Sequence, residues 1–224
     1  MQTSKFKIIG ATLVILGAVV FLYLSMSPSA PIVEHRPFEA LGQVAAEEAQ
    51  KLIGNRGRIA LITRDTDLYP NPQMDYICDA FYKAAAQMKL TLVSTNRLKI
   101  DPLNATRVPL GDYQALFMKL SERDVIVSLM GPPPVTSPED RAKIPEKRPK
   151  VVALCLGTIP RQINLRALFA QNLLHTAIIN RPNPETALPK SGDPHAWFDH
   201  FYEIMTPSNQ NDLPASTEIA SLDL

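Results

Sequence analysis

The chain has 224 residues, of which 46% are hydrophobic and 20% are charged, a composition typical of a folded domain. Its formal net charge is only +1 at pH 7, which argues against a function based on electrostatic binding of nucleic acid. The two cysteines, Cys78 and Cys155, are far apart in the sequence and belong to no zinc or haem motif, so neither a metal site nor a cofactor is predicted.

An apolar stretch near the N-terminus predicts a membrane-spanning helix over residues 8–26. No charged residue lies between Lys7 and Glu34. As a helix the stretch would span roughly 28 Å, close to a hydrocarbon core of about 30 Å. It is longer than the core of a signal peptide, so we predict an uncleaved anchor in the lipid bilayer. Because Lys5 and Lys7 precede it, residues 1–7 are predicted to be cytoplasmic and the following domain to be exported, into the periplasm in a bacterium.

Small residues repeat at a spacing of seven within this predicted helix. They are Gly10, Ala11, Gly17 and Ala18. On one helical stripe they would let another membrane helix approach closely, which predicts integral membrane protein subunits as partners. The alternative is that small residues are simply common in membrane helices.

The exported part begins with a proline-bounded spacer, residues 27–37, which leads into an α/β domain at residues 38–182. Strands are predicted at 58–63, 90–94, 124–130, 151–156 and 176–180, and helices at 38–53, 75–88, 112–121 and 162–172. Continuous apolar strands between amphipathic helices predict a mainly parallel, doubly wound, five-stranded sheet in a three-layer domain.

Residues 183–224 are predicted to form a C-terminal tail that contains a short aromatic helix near 195–205. This helix holds the only tryptophan of the chain, together with three other aromatic residues. The four are Trp197, Phe198, Phe201 and Tyr202. Aromatic anchors of this kind are enriched in interfaces, so they either contact a partner or pack back onto their own domain.

Three segments resemble the first lobe of the type I periplasmic-binding-protein-like fold, a family that includes sugar-binding receptors and the effector domains of LacI-like repressors. The segments are GRIALIT, NPQMDYICDAFYKAAAQMKLTLVS and ERDVIVSLMGPP. Within them, Asn71-Pro72 opens a helix that has Ala84, Ala85 and Ala86 near its end, and Asp124 begins a strand. The resemblance implies a lobe fold. The family binds its ligand between two lobes, whereas residues 181–224 are too few for a second one.

Polar residues follow two of the predicted strands. Asp65, Asp67 and Asn71 follow the first strand, and Thr158 and Arg161 follow the fourth. In an open parallel sheet ligands bind beyond the carboxyl ends of the strands, so these residues predict a pocket for a small polar ligand. The alternative is that they cap helices and build turns.

The sequence contains none of the common catalytic motifs. A glycine-rich phosphate loop, HExxH and GxSxG are all missing. His195 and His200 are five residues apart and would diverge on a helix, so they do not predict a metal site. We therefore predict a non-catalytic accessory or scaffold subunit of a membrane complex. The alternative is a membrane-tethered lobe that binds a small solute as a sensor or transport receptor.

Overall fold

The computed structural model describes residues 15–18, 20–22, 34–54, 56–67, 70–99, 108–135 and 137–213. The chain divides into two units, residues 1–34 and 35–224. In the first unit, 15–18 and 20–22 are helical. Among the described residues, no helix is both long enough and apolar enough to cross a membrane. Most of the predicted anchor, including Gly10 and Ala11, lies outside the described residues, whereas Gly17 and Ala18 are helical and exposed. The anchor stays a prediction.

The second unit is built on one sheet of six strands. They are β1 (Ile59–Arg64), β2 (Leu92–Leu98), β3 (Val125–Ser128), β4 (Lys150–Leu154), β5 (Thr176–Asn180) and β6 (Tyr202–Met205). Their order in the sheet is β2-β1-β3-β4-β5-β6. The first five strands are parallel, and β6 is antiparallel to β5. The predicted mainly parallel α/β sheet is therefore confirmed, but the predicted number of five strands was too low by one.

Helices cover both faces of the sheet. They are α1 (Arg36–Leu52), α2 (Pro72–Gln87), α3 (Leu110–Lys119), α4 (Pro138–Ala142), α5 (Ile159–Gln162), α6 (Leu165–Ala170) and α7 (Pro194–Phe201), followed by a 3-10 turn at Gln210–Asp212. One core cluster joins α1, α2 and α7 to one face. The other joins α3 and α6 to the opposite face. The result is the three-layer arrangement that the sequence predicts.

The side chains of β1 show why both faces need cover. Ile59 and Leu61 lie in the core beneath α1, α2 and α7, whereas Ala60 and Ile62 lie in the core beneath α3 and α6. Because successive side chains of a strand point to opposite faces, an apolar run such as this one is stable only between two layers.

Helices α1 and α2 pack very closely at Gly42. A Cβ atom added there would lie 2.1 Å from the carbonyl oxygen of Ile77 and 2.9 Å from the backbone nitrogen of Phe81. The missing side chain of Gly42 therefore allows the backbones of the two helices to approach. Ile77 and Phe81 are themselves buried in the core, so this contact fixes α1 over the sheet.

A buried carboxylate joins the amino ends of β1 and β3. Asp124 accepts hydrogen bonds from the backbone N, Nε and Nη2 of Arg58, at 2.8, 3.3 and 3.1 Å. It also accepts from the backbone N and Oγ of Ser121, at 2.7 and 2.9 Å. Burial alone would raise the pKa of Asp124, but these donors outweigh it and lower the pKa to about 2.

The aromatic segment packs onto its own domain. Helix α7 ends at Phe201, and Tyr202 begins β6, so the predicted helix near 195–205 is shorter than expected. Trp197, Phe198 and Tyr202 are buried in the core with α1, and Phe201 is half-buried. The packing favours the second of the two alternatives, contact of these rings with their own domain.

Candidate functional site

The carboxyl ends of β1, β3, β4 and β5 meet at one edge of the sheet, where β6 begins. The predicted ligand residues that follow β1 take part in local structure there. The backbone N of Asp67 donates to Oδ1 of Asp65 at 3.1 Å, which closes a turn. Asn71 stands at the N-cap of α2, where its Oδ1 accepts from the backbone N of Met74 at 3.2 Å.

Replacing Asn71 with alanine is expected to lower the free energy of unfolding by about 1 kcal/mol, because an N-cap acceptor is lost. Urea denaturation of the full chain, followed by circular dichroism, measures the loss. The control is Asn211→Ala, which removes an exposed asparagine that caps no helix and whose backbone has no positive φ. Equal stability of Asn71→Ala and the wild type would contradict the capping role.

The predicted ligand residues that follow β4 form a separate group. Thr158 and Arg161 are both exposed, at the start and within the short helix α5. The backbone N of Gly157 donates to Oδ1 of Asn180 at 2.7 Å, which ties this loop to the end of β5. Strand β3 separates β1 from β4, so the two groups are two strand spacings, or roughly 10 Å, apart along the edge. The five residues therefore follow two strands that are not neighbours in the sheet, and a ligand pocket formed by them stays a prediction.

A cleft of about 690 Å³ opens beside the second group, between the loop that follows β5 and helix α7. We call it the β5–α7 cleft. Its lining combines six polar or charged residues with five apolar ones. The lining residues are Arg181, Pro182, Asn183, Glu185, Ala187, Leu188, Pro189, Ala196, Asp199, His200 and Glu203.

The β5–β6 ladder places opposite charges on one side of this cleft. Ile179 pairs with Glu203, and the backbone N of Arg181 donates to the carbonyl oxygen of Phe201 at 2.8 Å. Since residues two apart on a strand share a face, Arg181 and Glu203 are diagonal neighbours on the same face. With respect to the described part of the chain, the side chains of Arg181, Asp199 and Glu203 form neither hydrogen bonds nor ion pairs.

Sequence reasoning missed the β5–α7 cleft because all its lining residues except Arg181 and Pro182 fall in the segment predicted to be a tail. Two short sequence features could have indicated the cleft. Tyr202–Met205 is typical of a strand with one charged position, and two prolines within four residues of Asn180 predict a loop after β5. No local pattern predicts that this segment pairs with β5 and becomes the outermost strand of the sheet.

A second cavity of about 440 Å³ lies between α1 and α2. It is lined by Glu39, Gln43, Tyr76, Asp79, Ala80, Lys83, Ala84, Gln87 and Pro194. The ring of Tyr76 lies 5.5 Å from that of His35, so the first turns of the two helices are neighbours. This cavity is a groove on the outer helical layer and is not part of the strand edge.

Two titratable side chains, Tyr113 and Cys78, lie close to the carboxyl ends of the strands and form hydrogen bonds with neighbouring residues. The hydroxyl of buried Tyr113 donates to the carbonyl oxygen of Gly131 at 2.7 Å, and burial raises the pKa of Tyr113. The thiol of Cys78 lies 3.1 Å from Oγ1 of Thr63, and burial likewise raises its pKa. Both groups are therefore neutral at pH 7; Tyr113 joins α3 to the loop that follows β3, and Cys78 joins α2 to β1. Among the described residues, no cluster of three or more His, Cys, Asp or Glu side chains is arranged to hold a metal ion.

No protein-family model and no curated protein sequence matches the chain. Solved structures do match. AraP, an arabinose-binding protein from Geobacillus stearothermophilus, aligns with a TM-score of 0.51 at 17% identity, over 80% of this chain and 63% of AraP. GanP, a glucose-galactose binding protein from the same organism, aligns with a TM-score of 0.46 at 11% identity, over 84% of this chain and 66% of GanP.

A periplasmic ribose ABC transporter protein from Conexibacter woesei aligns at a TM-score of 0.43 and 14% identity, over 63% of this chain and 45% of that protein. The chain thus spans less than two thirds of the length of these proteins. At such identities the likeness concerns the fold alone. The similarity to AraP confirms the predicted fold, an α/β lobe of the periplasmic-binding-protein-like type.

Proposed function

We propose that this domain is a non-catalytic lobe that binds a small polar solute, of the size and chemistry of a monosaccharide, in the β5–α7 cleft. The observation that carries the proposal is the set of three charged side chains, Arg181, Asp199 and Glu203, that face a 690 Å³ cleft without a described partner. The cleft lies at the carboxyl edge of a parallel sheet, where ligands of such folds bind.

The chemistry of the lining suits a molecule rich in hydroxyl groups. Carboxylates such as Asp199 and Glu203 accept hydrogen bonds from hydroxyls, and the guanidinium of Arg181 donates several in a fixed geometry. The volume falls within the range of about 300–1,000 Å³ that is typical of small-molecule sites. The fold agrees with this class of ligand, since AraP is an arabinose-binding protein.

The short connection between β5 and β6 limits the affinity with which this lobe can bind a solute. Only residues 181–201 connect the two strands, and they form a loop and α7 instead of a second α/β lobe. A solute in the cleft would thus be covered from one side, so weak and rapidly reversible binding is expected. Such binding fits a sensor or a transport receptor that is exported and tethered by the predicted N-terminal helix.

Titration calorimetry on the full chain in mild detergent tests this function, with arabinose, ribose, glucose and galactose as probes. At least one sugar is expected to bind. Arg181→Ala and Glu203→Gln are each expected to weaken that binding by about 10-fold to 100-fold, because each removes a charged hydrogen-bonding group. The matched control is Glu122→Gln, which removes an exposed carboxylate close to the amino end of β3, at the other end of the parallel strands. This change should leave the affinity unchanged. If none of the sugars binds, or if the cleft variants bind as the wild type does, the proposal is wrong.

A second candidate function is an accessory or scaffold subunit of a membrane complex. The direct return from β5 to β6 favours it, because the open side of the cleft could then be covered by a partner. The predicted anchor, with its stripe of small residues, would place the domain beside such partners. Gentle solubilisation of native membranes, followed by purification, should recover the chain with other membrane proteins. Recovery of the chain alone would count against this candidate.

A further inference from the structure

An ion pair joins the N-terminal end of α7 to α1. Nε2 of His195 lies 2.9 Å from Oε2 of Glu47. The other carboxylate oxygen of Glu47 accepts from Nε2 of Gln43, also at 2.9 Å. Gln43, one turn earlier on α1, therefore helps to hold the Glu47 carboxylate in position for its contact with His195. Nδ1 of His195 lies 3.5 Å from Oδ1 of Asp193, so the imidazole has acidic groups on both sides.

The same helix forms one wall of the β5–α7 cleft. Ala196, Asp199 and His200 of α7 line the cleft, while Trp197 on the opposite side is buried in the core. The Nε1 of Trp197 donates to the carbonyl oxygen of Ser191 at 2.8 Å. An eight-residue helix is not stable by itself in water, so the position of α7 depends on its docking contacts with α1.

We propose that His195 and Glu47 form a pH-responsive latch that seats α7 against α1 and thereby sets the wall of the β5–α7 cleft. The inference rests on the proposed function where it concerns the solute, but the latch itself does not need a solute. With His195 protonated, the ion pair is complete and α7 is held. With His195 neutral, the ionic attraction is lost, and α7 is held more weakly by hydrogen bonds and by the packing of Trp197 and its neighbours.

The direction of the response follows from the surroundings of the imidazole. The hydrogen bond with Glu47 is the largest influence and raises the pKa of His195, and the charge of Asp193 adds to it. The latch is therefore fully formed below the ordinary histidine pKa of about 6.5 and is lost as the pH rises through the higher value of the folded protein.

Other charged groups near the latch lie on α1, on α2 and on α7 itself, where Asp199 and His200 line the cleft. Glu39, Asp79 and Lys83 line the groove that Pro194 borders, and two of these three are acidic. The guanidinium carbon of Arg36 lies 4.2 Å from the centre of the Trp197 ring. An arginine and a lysine keep their charge across the pH range in question, so neither of them accounts for the response of the latch.

Trp197 is the only tryptophan of the chain, so its fluorescence reports directly on the seating of α7. In the full chain, quenching of Trp197 by acrylamide is expected to increase roughly twofold to fivefold between pH 6 and pH 8.5. An increase of this size corresponds to the loss of the stabilisation that an exposed ion pair gives to the docked position of α7. His195→Gln and Glu47→Gln should show strong quenching at both pH values. His35→Gln removes a comparable exposed histidine that lies near Glu39 and should respond as the wild type does.

Quenching that does not change with pH in the wild type, or a normal pH response in Glu47→Gln, would overturn the latch. The link to the cleft is tested separately, by the affinity for whichever sugar binds at pH 7. That affinity should fall more between pH 6 and pH 8.5 in the wild type than in Glu47→Gln, because only the wild type can lose the latch. A pH-dependent quenching signal in a chain that binds no sugar would support the latch while contradicting the proposed function.

Discussion

Replacing Gly42 with alanine is expected to lower the free energy of unfolding by about 2–4 kcal/mol. In an ordinary helix this change would stabilise by about 1 kcal/mol, because alanine is the better helix former. Here the new methyl group would lie 2.1 Å from the carbonyl oxygen of Ile77, so α1 and α2 must move apart. Separation of the helices would in turn loosen Phe81 and the core beneath it. Urea denaturation of the full chain measures the effect.

Gly111→Ala is the matched control for this change. Gly111 also lies within a helix, α3, but a Cβ atom added there meets no atom of the described residues within 4 Å. This variant is therefore expected to keep or slightly raise the stability of the wild type. If Gly42→Ala were as stable as Gly111→Ala, the close approach of α1 and α2 would be refuted.

Replacing Asp124 with asparagine is expected to cost about 3 kcal/mol. An amide has only one acceptor oxygen, whereas both carboxylate oxygens of Asp124 receive donors from Arg58 and Ser121. The new NH₂ group would thus face other donors inside a buried site. The expected result is a lower midpoint in urea at pH 7, with an unchanged dependence of stability on urea concentration.

The same carboxylate also predicts how stability depends on pH. The pKa of Asp124 in the folded protein is about 2, below the value of about 3.9 in an unfolded chain. Its contribution, about 2 kcal/mol, is present above pH 4 and is lost as the pH falls towards 2. Asp124→Asn should therefore lose less stability than the wild type between pH 4 and pH 2. Glu122→Gln, an exposed neighbour in the same turn, should behave as the wild type does. Parallel acid curves for all three proteins would contradict this role.

The parts of the fold that were predictable depend on local pattern. The apolar run of β1 predicts a strand covered on both faces, and the structure places its alternate side chains in two separate cores. The segments that resemble a binding-protein lobe contain Asp124, which immediately precedes β3, and the structure gives its physical role as the acceptor for Arg58. Asn71, predicted either as a ligand residue or as a cap, acts as a cap.

The parts that were not predictable depend on contacts between distant residues. Tyr202–Met205 is short and could extend the preceding helix, and only its pairing with β5 makes it a strand. The burial of Trp197 depends on α1, more than 140 residues earlier in the chain, and no spacing rule connects the two. The β5–α7 cleft follows from both features, so sequence patterns alone could not place it.

Hydrogen–deuterium exchange of the full chain, measured by mass spectrometry with and without saturating arabinose, ribose, glucose or galactose, tests the central claim most directly. A bound sugar is expected to slow exchange in residues 181–189 and 194–203, which line the β5–α7 cleft. Exchange in the groove between α1 and α2 should not change. Unchanged exchange around the cleft with every sugar, or protection confined to the α1–α2 groove, would contradict the proposal that this lobe binds a small polar solute at the carboxyl edge of its sheet.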